Sequence, residues 1–162
     1  MPREGIGRRE YRERKFGGPE AVAEMDRRLT AVGAEEGIAF ALDRIERTPN
    51  TFDAHRLAWH AQREGRQEAV VDALFRGYFT EGRDIGDRGT LSDLASEAGL
   101  DRGRVRDFLE GDEGAREIRA EEERVRRLGV QAVPFFILGG RYAVQGAQPP
   151  EVFVEAFDAL AR

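Results

Sequence analysis

Cysteine is missing from all 162 residues. No disulfide, thiolate nucleophile or cysteine metal site can form within the chain. Lysine is nearly missing too: of 26 basic residues only Lys15 is one. The excess of arginine, alanine and glycine reads as compositional bias rather than phosphate recognition. Basic and acidic residues, 26 against 31 for a net charge of -5, are interspersed. That describes a solvated surface and gives no nucleic-acid interface. Histidine is scarce, with only His55 and His60. Five positions apart, they do not share a helix face, so a zinc site would need carboxylate help. No apolar run approaches the length of a membrane span, and MPREGIGRREYRERKFG lacks the apolar segment of a signal peptide. The expectation is a soluble, cytoplasmic protein without membrane contact.

What is present is enough for one ordinary domain of 18.2 kDa. A chain of this mass buries about two thirds of its unfolded surface. Its apolar residues fall in periodic groups, with ten Phe, three Tyr and one Trp. Residues 8–16 read as a short charged helix ended by Gly17 and Gly18. Pro19 then starts a second helix at a favoured first position. Its inward face is Val22, Met25, Leu29 and Val32, and it ends at Gly33 or Gly37. Residues 38–42 (IAFAL) are the one extended candidate in the first hundred. RIERTPN is a connector, and residues 1–7 are irregular.

Asn50 or Thr51 caps the next helix, packed through Phe52, Leu57, Ala58, Trp59 and Ala61. A wide apolar face on 66–80 includes Val70, Val71, Leu74, Phe75, Tyr78 and Phe79. Thr90 with Asp93 reads as a capping box. Asp101 starts a helix at 102–110, and Asp112 caps a longer one. In the longer helix Ala115, Ile118, Val125 and Leu128 form a stripe, and Glu122–Arg126 and Glu123–Arg127 pair at four-residue spacing. The pattern then changes. VPFFIL, Gly139-Gly140 and RYAVQGA read as a hairpin, followed by a helix with Phe153, Ala156, Phe157 and Leu160 inward. Six or so helices, one hairpin and one helix make a lopsided plan. A hairpin is marginal alone, and one apolar on both faces expects more strands than the chain supplies.

The residues by themselves name no chemistry. Pro134 reads as an ordinary proline at the start of a strand, and Phe135 and Phe136 must face opposite sides. His55 lies between Phe52 and Trp59 at the edge of an apolar face, with no serine or cysteine aimed at it. Asp84, Asp87, Asp93 and Asp101 do not match a calcium loop; capping and turns account for them, so no metal is expected. No glycine motif supports a nucleotide, and no cofactor is expected.

The segment VPFFILGGRYAVQGAQPPEVFVEAF resembles the C-terminal half of a thioredoxin-like fold of the DsbA type. More narrowly it resembles the FrnE-like branch of the DsbA-family thiol-disulfide oxidoreductases. RREYRERKFG, RTPNTFDAHRL, ALFRGYFTEGRDIGD and LASEAGLD agree with it, so the resemblance covers essentially the whole chain. It implies an α/β, predominantly helical protein: a thioredoxin-like domain interrupted by a large helical insertion. Residues 1–17 would be a linker and short helix, and 18–128 the insertion. Residues 129–162 would be the C-terminal part of the thioredoxin-like domain, with hairpin 133–146 and helix 150–161. It further implies a cis bond at Val133–Pro134 and a substrate-binding cleft near Val133, Pro134, Phe135 and His55. Substrates would be proteins or small thiols.

One departure bears on activity. Members of the family begin with a strand, Cys-x-x-Cys at a helix start, and a second strand. None of these is in this sequence, so the sheet is incomplete and no catalytic residue is assigned. The expectation is a fragment or late-start gene model, inactive alone. The alternatives are a shortened, non-catalytic protein-binding module, or a chain that completes its sheet with another copy through the uncovered edge. A glutathione-dependent isomerase resembling the 2-hydroxychromene-2-carboxylate isomerases is the weaker enzyme alternative.

Overall fold

A computed structural model describes residues 2–161. The described chain is mostly helical and carries two two-stranded antiparallel sheets. It divides into two compact units, Met1–Ile118 and Arg119–Arg162.

The first unit opens with β1 (Ile6–Gly7), α1 (Arg8–Phe16) and α2 (Pro19–Glu35). A 3-10 turn (Leu42–Arg44) and β2 (Arg47–Thr48) lead to α3 (Phe52–Arg63), α4 (Gln67–Phe79), α5 (Arg88–Glu97) and α6 (Arg102–Glu110). Helix α7 (Ala115–Arg127) runs across the division. Short polar side chains set the helix starts. Asn50 Oδ1 accepts from the Phe52 amide at 3.0 Å, and Asp101 Oδ1 accepts from the Arg104 amide at 2.7 Å. Each satisfies an amide that has no partner within its helix.

Helices α3 to α6 enclose the main core. Leu57, Ala61, Val70, Leu91, Leu94, Ala95 and Leu109 are fully buried there. A smaller cluster of Leu42, Ile45 and Tyr78 packs with Phe40, Phe79 and Ile85. No described helix is long and apolar enough to cross a membrane.

Several local expectations need correction. IAFAL is not a strand: 38–41 is irregular, and Leu42 begins the 3-10 turn. The Ala41 amide bonds to the Phe79 carbonyl at 2.8 Å, so this backbone is satisfied by α4 and not by a sheet. The strands of this unit lie instead in segments read as irregular, with Ile6 opposite Thr48 and Gly7 opposite Arg47. Helix α5 is capped by Asp87, whose Oδ1 accepts from the Thr90 amide at 2.7 Å. Asp93 pairs with Arg102 instead. Glu123 pairs with Arg126 at 3.0 Å rather than with Arg127. On α2, Leu29 and Val32 are exposed, although their spacing puts them on the expected inward face.

The second unit holds the C-terminal part of α7, β3 (Phe135–Leu138), β4 (Tyr142–Gln145) and α8 (Pro150–Leu160). Gly139 and Gly140, at φ 56° and 65°, make the hairpin turn in the left-handed region, a combination that suits a two-residue loop between twisted strands. A Cβ on Gly139 would lie 2.6 Å from Leu160 Cδ2, so α8 seats directly on the turn.

Candidate functional site

The hairpin carries the residues with the best claim to a site. Phe135 pairs with Gln145, Phe136 with Val144, Ile137 with Ala143 and Leu138 with Tyr142. The Val133–Pro134 peptide bond is cis. The Pro134 carbonyl accepts from the Gly146 amide at 2.8 Å, which holds the start of β3 against the end of β4. Val133 is 84% exposed, and Phe135 is half-buried. The site thus presents an apolar side chain and an adjacent proline to solvent.

Each of β3 and β4 is paired on one side only among the described residues. Val144 is the one buried side chain of the two strands. Phe136 meets Phe153 of α8 edge-on, with ring centroids 5.0 Å apart. Ile137, Tyr142, Val154 and Phe157 remain exposed. A hairpin and one helix cannot cover one another's apolar faces, as the strand count implies.

Of the four residues expected at a cleft, Val133, Pro134 and Phe135 form one continuous stretch. His55 lies on α3 in the first unit and is exposed, whereas its neighbours Ala54, Arg56 and Leu57 are buried.

Beside His55 is a charged network that the sequence reading passed over. The Arg56 side chain is 2% exposed. Its guanidinium donates to the carbonyls of Glu113 (3.0 Å), Phe108 (3.1 Å), Leu109 (3.4 Å) and Gly111 (2.6 Å). It also pairs with Asp53 at 2.7 Å and lies 5.0 Å from the Phe108 ring centroid. The other Asp53 oxygen accepts from Arg88 at 2.7 Å. The available signal was the Asp53–Arg56 spacing of three, which ordinarily marks a surface pair.

Burial pushes the Asp53 carboxyl up, but hydrogen bonds from Arg88 and Arg56 outweigh it and hold the group below the usual carboxylate range. A carboxylate with a depressed folded pKa contributes stability above its unfolded pKa and loses it as pH falls through the folded value. Stability is therefore expected to decline with acid below about pH 4. Asp53→Asn should lower stability at neutral pH and flatten that decline. Urea unfolding at a series of pH values measures both.

Elsewhere a surface cavity of about 290 Å³ is lined by Arg44, Arg47, Arg83, Glu46 and Asp84, with Ile45 and Gly82. Arg47 lies 3.6 Å from Asp84, and Arg83 is 2.7 Å from Glu97. In the smaller core cluster, burial lifts the Tyr78 hydroxyl, partly countered by Arg8, which donates to it at 3.2 Å. No group of three or more His, Asp or Glu among the described residues is arranged to hold a metal ion.

The model of the DSBA-like thioredoxin domain matches residues 1–158. The chain belongs to that family. Its fold is accordingly the DsbA type of thioredoxin-like fold, here dominated by helices. No curated protein matches the chain. Among solved structures, this DsbA-family chain is similar to a "probable DsbA oxidoreductase" from Streptomyces coelicolor. The two are 39% identical with a TM-score of 0.79, over 93% of this chain and 65% of the other. The chain thus spans about two thirds of the length of that relative. It is also similar in fold to a "putative protein disulfide isomerase" from Nitrosomonas europaea. There the identity is 18% and the TM-score 0.68, over 87% of this chain and 74% of the other.

Proposed function

We propose that these 162 residues are the helical and proline-bearing part of a DsbA-type, FrnE-like thiol-disulfide oxidoreductase. The carrying observation is the absence of cysteine from a chain in this family. Disulfide exchange begins with attack by a thiolate, activated at a helix N-terminus or beside a cation. Serine, threonine and histidine cannot form the mixed disulfide. The chain is therefore inert in the exchange step and takes part in it only beside a thiol-bearing element outside these residues.

In that arrangement Val133, Pro134 and Phe135 form the wall that receives an extended protein substrate or a small thiol. Pro134 has no amide hydrogen to donate, so an approaching strand finds no donor at that position and meets the exposed Val133 side chain beside it. The free edge and exposed side chains of the hairpin support the same reading. Unpaired strand edges and apolar surface are ordinarily covered.

The test is the product found in the source cells. Intact mass and peptide mapping of the native polypeptide should give a species that carries, or co-purifies with, a Cys-x-x-Cys segment. A native product of 18.2 kDa with no thiol-bearing companion contradicts the proposal.

A second reading, a non-catalytic module that pairs with its own copy through the hairpin edge, is favoured by those same unpaired strands. Light scattering on the purified chain separates the two: the second reading requires twice the 18.2 kDa mass.

A further inference from the structure

A second apolar surface lies on the first unit, on elements that do not include the hairpin. Phe75 of α4 is 60% exposed, and Leu29, Val32 and Ile38 are exposed as well. A chain of packed rings connects the elements that carry them. Phe75 stacks on Phe79 with centroids 6.0 Å apart, and Phe79 meets Phe40 edge-on at 5.9 Å. Phe40 in turn packs on Gly33 of α2, where a Cβ would come within 2.5 Å of its ring. Leu29 lies one turn before Gly33 on the same face, and Val32 is adjacent. The chain of contacts thus runs from α2 across the 38–41 segment to α4.

The border of this surface has a sign. Glu35 and Glu36 end α2 and follow it, Asp43 follows Phe40, and Asp72 lies one turn before Phe75. All four are exposed, and none forms an ion pair with a described residue. The nearby Arg76 is committed to Glu81 and Glu97. Between residues 28 and 44, Arg28 and Arg44 are the two cations without an ion pair among the described residues, so two basic groups stand against the four acidic ones. An aromatic centre with a charged border is the usual anatomy of a protein-binding surface. Apolar patches of a few hundred Å² on a folded chain commonly mark one.

We propose that this face docks a cationic amphipathic polypeptide segment, one that offers aliphatic or aromatic side chains to Phe75 and Val32 and Arg or Lys to Glu36 and Asp72. Charge complementarity selects this occupant over a second copy. Two such faces would bring like-charged rims together, on chains that each carry -5. The proposal does not depend on the thiol chemistry proposed above.

The test uses the full chain and a fluorescein-labelled helical peptide of leucine and arginine, with leucines at three- and four-residue spacing. A control peptide carries glutamate in place of arginine. At low salt the arginine peptide should raise anisotropy on titration with the chain, and the glutamate peptide should not. Phe75→Ser should weaken binding by about tenfold or more. Asp72→Asn should weaken it by a few fold and reduce its salt dependence. Circular dichroism confirms that each variant keeps its helices. Equal binding of both peptides, or unaltered binding to folded Phe75→Ser and Asp72→Asn chains, overturns the proposal. So does a dimer of the free chain that Phe75→Ser dissolves, because the occupant would then be a second copy.

Discussion

Arg56→Ala is expected to destabilise the first unit by roughly 3–5 kcal/mol, in the range seen when one partner of a buried ion pair is removed. The cause is the number of groups left behind. Four carbonyls between Phe108 and Glu113 accept from this one guanidinium. They include the C-terminal carbonyls of α6, which have no donor within the helix. Asp53 would keep Arg88 as a partner but lose the equally close Arg56 on α3. Arg56→Lys should recover little, because one ammonium cannot reproduce a planar fork of five donors. Urea unfolding followed by circular dichroism measures the loss. A change below about 1 kcal/mol for Arg56→Ala would mean that water or neighbouring side chains replace the guanidinium.

Leu94→Ala is expected to cost about 3–5 kcal/mol. Leu94 is fully buried among α3, α4 and α5. Its methyl groups fill the space over Gly77, where a Cβ would lie 2.8 Å from Leu94 Cδ2. Truncation leaves a void lined on one side by helix backbone, which collapses poorly. A double variant, Gly77→Ala with Leu94→Ala, should recover part of the loss by returning a methyl group to that space. If the two losses simply add, the close approach of α4 to Leu94 is not what makes the site sensitive.

These two sites show how far the sequence could be read. Leu94 was legible as core because it falls three positions after Leu91 within a helix whose stop at Gly99 is clear. The hairpin was legible because two glycines separate two apolar runs. The β1–β2 pairing was not, since strands of two residues have no periodicity and their partners lie some forty positions apart. Asp87 was passed over as a cap because Thr90 and Asp93 have the spacing of a capping box one turn later. Leu29 and Val32 fit an inward stripe, but periodicity records which residues share a face and not whether that face is covered. Arg56 was invisible for a related reason: a charged residue beside Leu57 reads as surface until the α6 carbonyls arrive around it. At the hairpin, Val133, Pro134 and Phe135 could be named as a cleft only from the family resemblance. Composition and alternation describe the start of a strand there and do not specify the isomer of the bond before it.

The most direct measurement is reduction of insulin by the purified chain in the presence of dithiothreitol, followed as turbidity. The account predicts a rate equal to that of buffer. It predicts a rate above buffer for a polypeptide that joins these residues to a Cys-x-x-Cys element, lost when both cysteines become serine. Turnover that rises in proportion to the concentration of the cysteine-free chain itself would contradict the account.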